Sequence, residues 1–301
     1  MNLVQKQIIL KYGSRCMMQL MPKLKINTDA HPLNSDKNKI WNIKEKVAVV
    51  TGGAGDIGVA IANELLKHDV KTVALLDLNK NEGMKVLDEI RATHGYDRVI
   101  FSHCDISSNQ NLKDCLKIVS KNIGNIDIIV NAAGIWNELD WENAIQSNLC
   151  GVISTGIFST NYMNRNGVIL NIAGLKGLQP FSHSPILSAS SSGVISASRC
   201  FGHKNNFTKF KIRFLCLCLG ITKTKFLIEA EQKQLTPGMG QELQHYLKSA
   251  PMQTTDVLKV AALRMIKYAE TGSVWVCEDA KLYSLDLPNW KCFANMEARF
   301  V

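Results

Sequence analysis

From Val47 onward the chain alternates short, continuously apolar runs with longer segments at helical spacing, and few folds accept that alternation. The runs are VAVVT (47–51), TVALLD (72–77), RVIF (98–101), IDIIV (126–130), VILNI (168–172), FLCLC (214–218) and SVWVC (273–277). Amphipathic stretches such as Ile57–Lys67 and Leu112–Val119 lie between them. Strands apolar at every position suit a parallel sheet covered on both faces. The strand–helix alternation therefore predicts an α/β fold with a doubly wound, Rossmann-like sheet of seven parallel strands. The region 226–255 breaks the rhythm and reads as a helical excursion with a loop at Pro237–Gly240. Residues 282–301 read as an irregular tail, with Trp290 as its candidate anchor.

Composition narrows the function classes. The 301 residues are 46% hydrophobic and 20% charged, which excludes an intrinsically disordered chain. No apolar run approaches the ~20 residues of a membrane-spanning helix. The nine cysteines form no CxxC pair and no zinc-spaced His/Cys cluster, so they read as reduced core residues and favour a cytoplasmic protein. The net charge is +9, but residues 1–46 carry nine Lys/Arg against three acids. The excess thus sits on a basic extension and not on a folded stripe, and no nucleic-acid partner is expected. Residues 1–28 contain no acid at all. Such a beginning is either a mitochondrial targeting segment or a disordered basic tail. The domain plan is an extension over 1–41, one Rossmann-like domain over 42–290 and a tail over 291–301.

The first strand runs directly into Thr51-Gly52-Gly53-Ala54-Gly55-Asp56-Ile57-Gly58, and a helical pattern follows at once. Glycines there permit a tight turn and close approach of a pyrophosphate, while the helix start supplies N–H groups and positive dipole. The second strand ends in Asp77, where an acid can hold an adenosine ribose. Strand, Gly-rich turn, helix, strand and terminal acid in this order form a dinucleotide-binding signature.

With these motifs the chain resembles the short-chain dehydrogenase/reductase family, in its insect alcohol dehydrogenase and 15-hydroxyprostaglandin dehydrogenase-like branch. The likeness spans about residues 42–290. Further family motifs follow in order: Asp105 and Ile106 where the family contacts adenine, Asn131-Ala132-Ala133-Gly134 after the fourth strand, Asn148 at the helix asparagine of the catalytic tetrad, and Leu219-Gly220-Ile221-Thr222 beside the nicotinamide. The resemblance implies an NAD site formed by Gly52, Gly53, Asp56, Ile57, Gly58, Asp77, Asp105, Ile106, Asn131, Ala133, Gly134, Gly220 and Thr222. Asn131 and Gly134 serve the sheet in this family as much as the cofactor, and Asn148 without its partners reads as structural. No Arg or Lys immediately follows Asp77 to meet a 2′-phosphate, which favours NAD over NADP, although Lys80 is near. Relatives pair through the helices here near 141–164 and 186–204, so a homodimer is expected.

The family's chemistry is hydride transfer at an alcohol or carbonyl carbon, with a tyrosine as acid/base, a lysine that tunes it and a serine that positions the substrate oxygen. Its Y-x-A-S-K-x-G segment reads Leu187-Ser188-Ala189-Ser190-Ser191-Ser192-Gly193 here, with Leu187 at the tyrosine and Ser191 at the lysine position. Its N-x-S-S-x-x-G segment reads Asn171-Ile172-Ala173-Gly174-Leu175-Lys176-Gly177, with Gly174 at the catalytic serine. Only Asn148 survives of the tetrad. Asp56 replaces a glycine of the pyrophosphate turn, which brings like charges together unless it turns outward as a helix N-cap. At ~4 Å and an effective dielectric of about 20, such a pair repels by roughly 4 kcal/mol. The expectation is a diverged member with weak or vestigial NAD binding and impaired or absent activity that acts by binding, with a small molecule as its expected ligand. The alternative is an active NAD-dependent dehydrogenase of a secondary alcohol using Lys176, His183 or a water as acid/base.

Overall fold

The computed structural model describes residues 40–228 and 230–287. The seven expected strands all form: β1 Val47–Thr51, β2 Thr72–Asp77, β3 Val99–His103, β4 Ile126–Asn131, β5 Met163–Gly174, β6 Arg213–Leu219 and β7 Val274–Glu278. They pair in parallel in the order β3-β2-β1-β4-β5-β6-β7. Residues expected to be irregular contribute an eighth strand, β8 Lys281–Leu285, antiparallel to β7. Asp279 and Ala280 make the turn at φ 51° and 56°. Both central residues of a tight hairpin need positive φ, normally signalled by Asn-Gly or Asp-Gly, and Asp-Ala hides that signal. The basic extension, Trp290 and the 291–301 tail lie outside the described residues.

Nine helices are described: α1 Asp56–Lys67, α2 Lys80–His94, α3 Asn109–Ile123, α4 Trp141–Ile145, α5 Gly151–Ser159, α6 Pro185–Phe201, α7 Lys204–Phe210, α8 Pro237–Ser249 and α9 Thr255–Tyr268. Alternate strand residues face opposite layers, as the pleat requires. Ala48, Val50, Ile128 and Val130 pack with Ile61 and Leu65 of α1 and Ala262 and Ile266 of α9. Val49, Ile129 and Ile169 meet Leu112 and Leu116 of α3, while Cys216 and Cys218 meet Val194 and Ile195 of α6. No described helix is long and apolar enough to cross a membrane.

The expected loop at Pro237–Gly240 is also corrected, because these residues open α8. Thr236 Oγ1 accepts the Met239 N–H at 3.2 Å, and Pro237 occupies the first turn, where a missing N–H costs nothing. In the strand order, β1 leads outward to β2 and β3, whereas β4 starts the other half. The crevice at the C-terminal ends of β1 and β4 is therefore the switch point at which such sheets bind ligands.

Candidate functional site

Two connected spaces open at that crevice. The outer groove, about 480 Å³, is bordered by Gly52, Asp56, Ile57, Gly58, Asp77, Asp105, Ile106, Ala133 and Gly134. Gly52 sits at φ 65°, and a Cβ on it would lie 2.6 Å from the Ala133 backbone. Only glycine lets the turn after β1 approach the end of β4 so closely. A Cβ on Gly58 would collide with the Gly52 carbonyl, so α1 can start tightly against the turn only with glycine there. Asp77 Oδ2 accepts the Ala54 N–H and Oδ1 the Asn79 N–H, each at 2.9 Å. Each carboxylate oxygen retains acceptor capacity for a ribose hydroxyl. Asp105 Oδ1 is taken by Ser107, whose backbone N–H and hydroxyl donate at 2.9 and 2.6 Å.

Asp56 is not the N-cap of α1. Gly55 holds that position and Asp56 is the first helical residue. Its Oδ2 accepts the backbone N–H of Lys225 at 2.5 Å, and Lys225 Nζ in turn contacts Glu82 Oε1 at 2.6 Å on the first turn of α2. The segment Thr224–Phe226 thus crosses the groove and is tied to both of its walls. Lys225 beside Glu82 pulls that carboxyl below its ordinary value, and Glu82 raises the Lys225 ammonium in return.

The inner cavity, about 150 Å³, brings together Asn148, Gly174, Leu187, Ser191, Gly220 and Thr222. Two predicted site residues line neither space. Gly53 packs under Leu75, and Asn131 is 1% exposed inside the sheet. Asn131 Nδ2 donates to Asn171 Oδ1 at 2.8 Å, and Asn171 Nδ2 donates to Ser198 Oγ at 2.9 Å, so this chain of amides couples β4 and β5 to α6. Asn148 bonds both backbone groups of one residue. Its Oδ1 accepts the Ile135 N–H and its Nδ2 donates to the Ile135 carbonyl, both at 2.8 Å. It sits in a π-turn, Gln146–Cys150, that joins α4 to α5.

A family model described as short chain dehydrogenase matches residues 46–235. The chain is 34% identical to rat (Rattus norvegicus) 15-hydroxyprostaglandin dehydrogenase [NAD(+)] over 68% of its length and 77% of that protein. It is 29% identical to alcohol dehydrogenase 1 of Ceratitis cosyra, covering 80% of this chain and 95% of the other. This chain belongs to the short-chain dehydrogenase family. The fold agrees: L-sorbose reductase from Gluconobacter frateurii superposes with a TM-score of 0.67 at 21% identity, over 79% of this chain and 96% of that one.

Gly174 and Ser191, which the sequence reading aligned with the family's serine and lysine, close on each other. The Gly174 N–H donates to Ser191 Oγ at 3.1 Å, and Ser191 is only 4% exposed. Leu187, aligned with the family's tyrosine in the sequence reading, packs with the apolar cluster of Trp136, Phe181, Ala230 and Leu243. The start of α6 is held from below by Glu138, a residue no sequence motif singled out. Its carboxylate accepts the N–H groups of Ile186 at 2.7 Å and Leu187 at 2.9 Å. Burial raises the Glu138 carboxyl from its ordinary value, and the two backbone N–H groups oppose that shift without cancelling it.

The two proposed substitutes for the acid/base separate here. His183 lies outside the cavity wall, with Nδ1 3.3 Å from Glu242 Oε2. Lys176 does line the inner cavity, and its Nζ donates to the Tyr246 hydroxyl at 2.7 Å. No spacing rule could have found this pair, because Tyr246 arrives on α8 from the irregular region. The same is true of Lys225. Among the described residues no group of three or more His, Cys, Asp or Glu is placed to hold a metal ion.

Proposed function

We propose that this family member binds NAD weakly and acts by binding, with its oxidoreductase activity impaired or absent. One observation carries the reading. The serine and lysine positions are occupied by Gly174 and Ser191, which hydrogen-bond to each other at 3.1 Å, and the tyrosine position is an apolar leucine. Loss of a general acid/base alone lowers rates by about 10²–10⁴.

The groove's donors and acceptors fit a dinucleotide. Asp77 would hold the adenosine ribose, Asp105 and Ile106 would border the adenine, and the first turn of α1 would face the diphosphate. Gly220 and Thr222 would border the nicotinamide, which when bound supplies the hydride acceptor. Asp77 and Glu82 both line the adenosine end of the groove and disfavour a 2′-phosphate, which supports NAD over NADP. The NAD(+) in the name of the rat relative points the same way. A fluorescence titration with NADH tests the reading: saturation in the micromolar-to-millimolar range is expected, and no binding at millimolar cofactor overturns it. The Gly174→Ser/Leu187→Tyr/Ser191→Lys variant, assayed with NAD and a panel of secondary alcohols, is expected to exceed the parent's turnover.

A second reading, an active dehydrogenase of a secondary alcohol with a non-standard acid/base, is favoured by Lys176 at the cavity wall. Parent turnover with NAD that Lys176→Met abolishes would select it. We also propose a homodimer through the helical segments near 141–164 and 186–204. The basic extension leaves cytoplasmic and mitochondrial placement as the two options to be separated by localising the full chain and a truncated form.

A further inference from the structure

Among the described residues, the wall of the inner cavity carries one charged group, and the rest of it is apolar or neutral. Leu187, Val194, Ile172, Phe226 and Leu227 supply hydrocarbon and aromatic surface, and among the described residues Lys176 is the only charged one that lines it. The neutral polar side chains on the wall each hold a hydrogen bond within the protein. Asn148 bonds the N–H and carbonyl of Ile135, Trp136 donates to Ser184 Oγ, Ser190 donates to the Leu187 carbonyl, Ser191 accepts the Gly174 N–H, and Thr222 and Thr224 donate to the carbonyls of Gly220 and Thr222.

Lys176 has no carboxylate within ion-pair distance among the described residues. Its ammonium stands 4.6 Å from the Phe181 ring centre and 4.8 Å from that of Tyr246, and it donates to the Tyr246 hydroxyl at 2.7 Å. The Tyr246 ring is itself held edge-on against Phe181 with centres 5.2 Å apart. One ammonium N–H is thereby used and the others are free to donate. Because the phenol oxygen accepts from lysine, its own hydrogen is also free. Aromatic faces favour a cation without discharging it.

A half-buried cation beside hydrocarbon walls complements a ligand with an apolar body and one negative charge. A dianion such as a phosphate would need a second cation that the wall lacks. A cavity of about 150 Å³ accommodates a group the size of a benzene ring. We propose that this cavity binds a small apolar monocarboxylate, with its carboxylate on Lys176 and its body against Leu187 and Val194. Tyr246 is a positioning residue that acts through Lys176. The proposal deepens the reading of this site as a binding cavity and rests on it.

Calorimetric titration of the full chain with benzoate, benzamide and benzyl alcohol, without dinucleotide, tests it. Benzoate is expected to bind saturably and about tenfold or more tighter than its two neutral analogues, the usual worth of a charge-assisted contact. Lys176→Met is expected to bring benzoate down to the level of benzamide, whereas Lys176→Arg retains the preference. Tyr246→Phe keeps the ring contacts, and a smaller loss confined to benzoate is expected. The melting temperature of each variant reports whether it folds.

Equal affinity for benzoate and benzamide, no saturable benzoate binding, or a folded Lys176→Met variant with undiminished benzoate affinity would overturn the proposal. Tighter binding of benzyl alcohol than of benzoate would overturn it in favour of an alcohol ligand. An NADH titration of the same preparation separates the two failures. NADH binding without benzoate binding removes this inference alone, and benzoate binding without NADH binding removes the dinucleotide reading alone.

Discussion

A serine placed at position 174 would meet its neighbour at once, since a Cβ there would lie 3.1 Å from Ser191 Oγ. If Ser191 rotates away, the Gly174 N–H loses its acceptor. Gly174→Ser alone is therefore expected to destabilise the chain by about 1 kcal/mol, and Ser191→Ala by a similar amount, in urea unfolding. The two positions behave as a unit, which is why the proposed gain-of-function variant changes them together. Glu138 is the second residue whose environment dictates a result. An amide cannot accept two N–H groups as its carboxylate does, so Glu138→Gln is expected to cost about 1–3 kcal/mol at neutral pH. The raised carboxyl also has a pH signature. Between the ordinary glutamate value and its folded value, the folded chain binds more protons than the unfolded one. Its contribution to stability is thus complete at lower pH and falls as pH rises through that window. The stability difference between parent and Glu138→Gln, followed by thermal melting, is expected to shrink with rising pH across it.

At the scale of elements, the π-turn and the segment over the groove matter most. Asn148 pins the loop after β4 by two bonds to Ile135, and removing the amide frees the stretch that borders both spaces. Asn148→Ala is expected to lose about 1–3 kcal/mol of stability and to weaken NADH binding in the same preparation. The tie between Asp56 and Lys225 recasts the charge problem in the pyrophosphate turn. The carboxylate is engaged by a backbone N–H and has an ammonium nearby, so its repulsion of a diphosphate falls well short of the bare-pair figure. Asp56→Gly is accordingly expected to tighten NADH measurably, by about threefold to tenfold and thus up to ~1.4 kcal/mol. Unchanged NADH affinity would show that the turn does not serve the cofactor.

For the whole molecule, the eight-stranded sheet leaves a defined outer surface on the α3 and α5 side. Ile118 is 52% exposed and Ile157 49% exposed there. The proposed homodimer is expected to give twice the chain mass in light scattering coupled to gel filtration. Ile157→Lys, a charge set into apolar contact area, is expected to shift it toward monomer, and a parent that already runs as a monomer rejects the dimer.

What could be read from the sequence was local. Runs of apolar residues announced seven strands, Gly52 and Gly58 announced the turn and the helix on it, and Asp77 marked the end of β2. The surrounding Asn171, Gly177, Ala189, Ser190 and Gly193 set the register on which Gly174, Leu187 and Ser191 are proposed as substitutions. Each of these signals lies within one element or one connection, where backbone sterics and side-chain period act directly. The tertiary structure decided which distant residues meet around that space. Asp56 and Lys225 are 169 residues apart, Lys176 and Tyr246 70, and Glu138 and Ile186 48. Contacts at such separations depend on how the sheet stacks its loops at one edge, and no periodicity within the chain records them.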